Sequence, residues 1–306
     1  MPRKASKISV KKTFPIRVTC KVMDVSPSAF YHWLSNKASP NKDVALEIKA
    51  TEIFDLHKKT LGYRRLTNEL RKEGFDVGHY KIWRLMSRLG LQARYPRRFK
   101  VTTDSKHNFN IADNLLERKF DVQQPNKYWT TDITYVWTLE GWMYLAVVMD
   151  LYSRQIIGWS IADNMKTEMC LQALQMAYWR RNPNAGVMHH SDRGSQYASG
   201  KYQEMLSKME MIPSMSGKGE CWDNAPTERF FRSFKHEHMH YYRLKTKKDA
   251  ERCILDYLAY YNSKRPHTTL GYLSPMEFEQ QITIFTFDNK KHNNVIFFIK
   301  VSIGYI

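Results

Sequence analysis

Three carboxylates stand where they could handle a phosphodiester. Asp132 lies in the alternating run YWTTDITYVW, Asp192 in HHSDRGSQYAS after a short apolar run, and Glu228 in ECWDNAPTERFFRSFKHE at the start of a helical pattern. Thirty-five residues separate Asp192 from Glu228, and Lys235 follows the glutamate by seven. Carboxylate oxygens suit hard cations such as Mg2+. Two such ions about 3.5–4 Å apart stabilise both the attacking and the leaving oxygen of a phosphoryl displacement. Each acid also has a plainer reading. Asp132 sits mid-strand against its propensity, as a metal ligand or as an edge-strand gatekeeper. Asp192 alone would be a turn residue. Glu228, Arg232 and Lys235 share one helical face at i, i+4 and i+7, which suits metal at one end and phosphate along the rest, or a simple Glu–Arg surface pair. Asp150 reads as a turn-former, Asp223 as a cap at helix entry, and His190 as a support for the neighbouring Asp192 or, more simply, as a structural histidine. Ser191 has no base that would make it a nucleophile.

The elements that must position these groups can be read around them. Strands are expected over 128–137, 142–153, 155–162 and 186–192, with a short fifth at MIPSMS. Helices are expected over 165–181, 201–210, 227–240 and 248–264. The order β-β-β-α-β-α-β-α predicts an α/β (α+β) body, a mixed five-stranded sheet flanked by helices. Upstream, 16–34 reads as two short helices, with Ser26 capping one that begins at Pro27, and 42–59 has helical periodicity. Residues 63–72 and 78–89 read as helices joined by a turn at Gly74, with Lys81, Arg84 and Arg88 in one stripe on the second. That pattern is a helix-turn-helix or an ordinary helical hairpin with a solvated cationic face. The basic surroundings favour DNA binding, with Arg64 and Arg65 on its first helix as further candidates.

Charge supports this division. The 306-residue chain has 48 Lys and Arg against 30 Asp and Glu, a net charge of +18. Residues 1–100 hold 23 basic against 8 acidic side chains, and the rest 25 against 22. A basic docking region ahead of a near-neutral body points to a polyanionic partner, because neutralising phosphates releases condensed counterions. The expected domains are a basic helical segment (1–41), a helix-turn-helix domain (42–100), a linker (101–124), a catalytic core with C-terminal helices (125–280) and an atypical tail (281–306). Cys20, Cys170, Cys221 and Cys253 form no C-x-x-C pair, which argues for reduced thiols and a cytoplasmic setting. No run reaches the roughly 18 apolar residues of a membrane span, and the N-terminus lacks the apolar stretch of a signal peptide.

Five segments together, PNKYWTTDITYVW, GWMYLAVVMDLYSRQIIGWS, HHSDRGSQYAS, SMSGKGECWDNAPTERFFRSFKHE and YNSKRPHTTLGYLSPMEF, resemble the integrase core of bacterial insertion-sequence transposases. More narrowly they are similar to the second-frame (orfB) product of the insertion-sequence-three family, over about residues 42–280. The resemblance implies a ribonuclease-H-like core shared with retroviral integrases. It implies that Asp132, Asp192 and Glu228 form a DDE triad holding two Mg2+ or Mn2+ ions, with Lys235 contacting the element's end. The implied chemistry is strand cleavage to a 3′-hydroxyl, then transesterification into a second phosphodiester. The implied partners are the terminal inverted repeats, the target DNA, a first-frame (orfA) protein and further copies on DNA at the bacterial nucleoid. No heptad zipper is present, so end recognition and dimerisation would draw on the first-frame partner. Residues 281–306 look foreign to the family and read as readthrough past a lost stop, with an aggregation-prone β pattern. Two other expectations stand beside catalysis: a non-catalytic DNA-binding regulator or decayed copy, and a metal-dependent nuclease of the same fold.

Overall fold

The computed structural model describes residues 15–38, 43–94 and 111–281. The basic arm over 1–14, the polar part of the linker over 95–110 and the tail over 282–306 lie outside the described residues. The chain divides into two compact units, 1–50 and 51–306.

In the first unit α1 (Ile16–Val22) and α2 (Pro27–Ala38) follow in sequence. Ser26 Oγ accepts from Ala29 N at 3.1 Å, the cap expected ahead of Pro27. Helix α3 (Val44–Leu56) spans the boundary between the units.

The second unit continues with α4 (Tyr63–Lys72) and α5 (His79–Leu89). Leu66 and Leu70 of α4 and Ile82, Leu85 and Met86 of α5 are buried, which is the helical spacing read from sequence. Gly90 ends α5 in the left-handed conformation at φ 66°, which glycine adopts without strain. Residues just before and after the pair contact the body. His57 Nδ1 lies 3.3 Å from Tyr260 Oη, and the Arg94 guanidinium stacks 3.6 Å from the Tyr241 ring centroid.

The body is a five-stranded sheet of β1 (Tyr128–Thr138), β2 (Gly141–Asp150), β3 (Ile156–Ala162), β4 (Met188–Ser191) and β5 (Ile212–Met215), in spatial order β3-β2-β1-β4-β5. The first three strands form an antiparallel meander, and β4 and β5 add parallel to β1. Helix α6 (Thr167–Arg181) makes the crossover from β3 to β4. Next come the short α7 (Ser195–Ala198), α8 (Gly200–Lys208), α9 (Ala225–Ser233) and α10 (Lys247–Ser263). Alternation along β1 and β2 splits the core in two. Val136, Leu145, Val147 and Met149 pack with Phe230, Phe234 and Tyr257 on the α9–α10 side. Trp129, Ala146 and Val148 pack with Ala173, Leu174 and Tyr202 on the α6–α8 side. With both faces covered, β2 reads as a nearly continuous apolar run.

Three local expectations are corrected. The single helix expected over 227–240 is α-helical only to Ser233, passes through a π turn at Phe234–His238 and ends in a 3-10 turn at Met239–Tyr241. The wide turn lets Phe234, His236 and His238 all be buried, which a regular 3.6-residue period does not allow for alternate positions. Asp223 does not cap α9. It is 3 % exposed and accepts from Arg118 Nε (2.6 Å), Asn114 Nδ2 (2.8 Å) and Gly217 N (2.8 Å). The end of the expected linker, from 111 on, packs on the body, with Leu116 1 % exposed within the α9–α10 side of the core. Among the described residues no helix is long and apolar enough to cross a membrane.

Candidate active site

Asp132 is on the central strand of the sheet, which removes the edge-gatekeeper reading. Pairing of β1 with β4 covers only Tyr128–Thr130. From residue 131 onward β1 runs past its parallel neighbour, and a gap opens on that side. The carboxyl ends of parallel strands are where α/β sheets place ligands. Asp132 is the second residue into this gap, and its Oδ1 accepts from Ile133 N at 2.7 Å.

Asp192 follows the last residue of β4, so the parallel register carries it to the same end of the sheet. Its Oδ1 accepts from Gly194 N at 2.9 Å, the turn contact expected of an aspartate there. A Cβ added at Gly194 would lie 2.9 Å from that same oxygen, so the glycine leaves the room in which the carboxylate sits.

Glu228 arrives from α9, whose start is pinned to β1 by two buried contacts. The Thr227 and Thr130 hydroxyls are hydrogen-bonded at 2.7 Å, both side chains fully buried. Asn224, at the N-cap position, makes no cap bond with its side chain and donates from Nδ2 to Thr131 O at 3.0 Å instead. The two anchors lie at the two positions before Asp132 on the strand and precede Glu228 on the other element. Glu228 makes no ion pair with Arg232, so the surface-pair reading fails.

The three acids feel one another. Burial first, then the charge on Asp192 and more weakly that on Glu228, push the Asp132 carboxyl well above its ordinary range, against the Ile133 N–H and Lys235. Burial and then Asp192 also raise Glu228. Burial lowers Lys235, and the Asp132 carboxylate opposes that shift. A cluster of carboxylates that repel in a partly dry site binds either a proton or a cation. The all-oxygen donor set fits a hard divalent ion. Among the described residues no three such side chains form a ready-made metal cage.

Family models match most of this chain. The HTH-like domain matches residues 40–99, and two integrase core domain models match 122–221 and 209–275. An uncharacterized 31 kDa protein of insertion element IS600 from Shigella sonnei is 39 % identical over 267 residues, covering 86 % of this chain and 97 % of its own. Transposase InsF for insertion sequence IS3A from Escherichia coli K12 is 37 % identical over 273 residues, covering 88 % and 95 %. The chain belongs to the IS3 transposase family. Among solved structures, the simian T-cell lymphotropic virus intasome in complex with the PP2A subunit B56 gamma aligns with TM-score 0.45 at 13 % identity, covering 75 % of this chain and 73 % of that one. The magnesium complex of the HTLV-2 integrase catalytic core aligns with TM-score 0.39 at 18 % identity, covering 47 % and 90 %.

In this family member the other sequence-derived candidates fall in different places. Lys81, Arg84 and Arg88 are all exposed on α5. Sequence reasoning missed the aromatic part of that surface. Tyr80 and Trp83 stack at 5.6 Å, and Arg84 lies 4.4 Å from the Tyr80 ring centroid with Nη2 donating to its hydroxyl at 3.0 Å. Apolar side chains at exposed helical positions were the available signal. Arg64 is exposed beside the Tyr63 ring, whereas Arg65 is half-buried and turned toward Arg265 and Glu237. Adjacent helical residues point about 100° apart, so both cannot share a surface. Lys235 sits 4.4 Å over the Tyr135 ring, and Tyr135, Trp137 and Trp142 make an exposed aromatic cluster on the β1–β2 hairpin. Its signal was the outward alternation after Asp132. His190 is structural, with both ring nitrogens hydrogen-bonded to Ser214 and Ser216. Asp150 is a buried turn residue that accepts from Asn126 N and Tyr152 N.

Proposed function

We propose that this chain is a DNA transposase that cleaves and transfers strands at the ends of its own insertion sequence, with Asp132, Asp192 and Glu228 as the catalytic carboxylates. The observation that carries the reading is that Asp132 and Asp192 emerge at the same end of adjacent parallel strands while buried contacts pin the start of α9, just ahead of Glu228, to the strand of Asp132. Asp132, Asp192 and Glu228 would hold two Mg2+ or Mn2+ ions, which supply charge stabilisation at the attacking and leaving oxygens. Lys235 adds positive charge beside the scissile phosphate, and its ring contact with Tyr135 holds the side chain in place. Asn224 and the Thr130–Thr227 pair fix the approach of α9, and so of Glu228, to Asp132.

Residues 42–100 dock DNA and 125–280 perform the chemistry. Lys81, Arg84 and Arg88 meet backbone phosphates, with Tyr80 and Trp83 available for stacking. A first-frame protein and further copies of the chain complete the assembly on the terminal repeats and target. The test is Asp192→Asn in the full chain, assayed on a duplex carrying the repeat that flanks its gene. Cleavage should disappear while end binding stays near wild type, because a carboxylate and not a phosphate contact is removed. Undiminished metal-dependent cleavage in that variant would sink the assignment. Cleavage without joining in the wild type would make the chain a nuclease.

A further inference from the structure

Helix α9 walls a second feature besides the triad. A cavity of about 510 Å3 is lined by Arg65, Arg154, Arg229, Arg232 and Arg265, with Glu237 as its one acid. Glu237 is already committed. Arg265 Nε and Nη2 grip its two oxygens at 2.7 Å each, and Tyr257 Oη donates to it at 3.2 Å. Four guanidinium groups therefore face this space without a carboxylate of their own. Arg229 and Arg232 form no ion pair or hydrogen bond among the described residues. Burial, and then repulsion by Arg265, lower Arg65.

Arg154 gives an independent sign. Its Nη2 donates to Phe120 O at 2.8 Å, but its Nη1 is buried with no hydrogen-bond partner. Its backbone is left-handed at φ 62°, a conformation costly for a residue with a Cβ and a long side chain. The unpaired buried donor on this strained turn costs free energy unless an anion completes it, and the exposed Arg229 and Arg232 and half-buried Arg65 line the same space. Guanidinium forks match phosphate oxygens in pairs. The volume lies in the range of about 300–1,000 Å3 typical of ligand pockets, enough for a phosphate with its sugar.

We propose that this arginine-lined cavity seats one backbone phosphodiester of the DNA strand whose scissile bond lies at the triad. This rests on the transposase reading above. The choice of DNA over a free anion follows from position: Arg232, one helical turn beyond Glu228 on the same face of α9, lines the cavity, so a strand held at the carboxylates passes its mouth. The cavity thus sets the register of the strand relative to the catalytic acids.

The test uses the full chain in EDTA, so that it is independent of cleavage, with a fluorescein-labelled duplex titrated at several salt concentrations. The variant is Arg229→Gln with Arg232→Gln. Both side chains lack partners among the described residues, so thermal unfolding serves as the check that the fold is kept. Two arginines on one phosphate predict that the slope of log affinity against log salt falls by about 0.9, which is about a 3.5-fold smaller affinity loss between 50 and 200 mM salt. Added inorganic phosphate at constant ionic strength should weaken wild-type binding and leave the variant unaffected. An unchanged slope overturns the proposal. So does a fall of about 1.8, which means two separate solvated contacts. Inorganic phosphate that raises the wild-type melting temperature without displacing DNA would make the cavity a free-anion site and also overturn it. Asp192→Asn should keep the full slope while losing cleavage, so failure of this proposal and failure of the catalytic assignment are separable.

Discussion

The contact that sets Glu228 against Asp132 can be weighed by removing its hydroxyls one at a time. Thr130 and Thr227 are both fully buried, and each hydroxyl finds the other at 2.7 Å. Thr→Val keeps the shape and deletes the polar atom. In either single variant the remaining hydroxyl is buried without a partner, which costs about 1–3 kcal/mol. In the double variant no polar atom is stranded, two methyl groups meet, and stability should return to within about 1 kcal/mol of wild type. The coupling across the pair should therefore be large and of compensating sign, beyond the roughly 0.3–0.5 kcal/mol at which distant sites already add. The assay is urea unfolding of the full chain, with the midpoint read at unchanged m. Strand cleavage, measured alongside, should fall in each single variant, because α9 has lost its anchor, and recover at least partly in the double. Single losses that simply add in the double variant would show that the two hydroxyls are satisfied elsewhere and that α9 is held by packing alone.

Gly158→Ala should be strongly destabilising. The new Cβ would lie 2.1 Å from Ala173 O and 2.8 Å from Ala177 Cβ, so α6 would have to retreat by about 1.2–1.5 Å to reach an ordinary carbon–oxygen contact. A cost of about 1–3 kcal/mol or more is expected, and a melting temperature equal to wild type would contradict the close strand–helix packing. Arg84→Ala with Arg88→Ala should flatten the salt dependence of DNA binding by about one unit per lost phosphate contact; an unchanged slope would mean that α5 faces elsewhere. Stability should fall as the pH drops from about 6.5 toward 4. Burial above all lowers His57, His190 and His238 to about 4 and His189 to about 3, so the unfolded chain binds more protons across that window. Asp150, raised by burial to about 6, works in the opposite sense, as does Asp132. Urea midpoints at pH 7 and pH 5 check this, and a midpoint that rises at pH 5 would show that the carboxylates dominate.

Most elements were legible because their signals are local. Alternation set β1, the apolar run set β2, and the Ser26–Pro27 cap and the helical pair at 63–72 and 78–89 came from capping and spacing. The breaks came where tertiary contacts overrode local preference. The π turn at Phe234–His238 buries three side chains that a regular period would have split between faces. Asp223 was drawn from a helix cap into a three-donor cluster with nearby Gly217 and with Arg118 and Asn114, which are distant in sequence. Arg65 was separated from Arg64 because a helix turns neighbouring side chains apart and only packing says which one faces inward.

By itself the sequence determined the chemistry available: three carboxylates and a following lysine in recognisable contexts, a basic N-terminal third, and strands and helices in an order that makes a mixed sheet. Only the tertiary structure decided that these acids share one end of the sheet. That depends on β4 pairing parallel to β1 for three residues and ending just before Asp192, and on the contacts of α9 with β1 that bring Glu228 within reach of the charge on Asp192. It also decided that Arg65, Arg154, Arg229, Arg232 and Arg265 line one space. Local propensity acts over a few residues, whereas charge repulsion and burial act between groups that only the folded chain brings together.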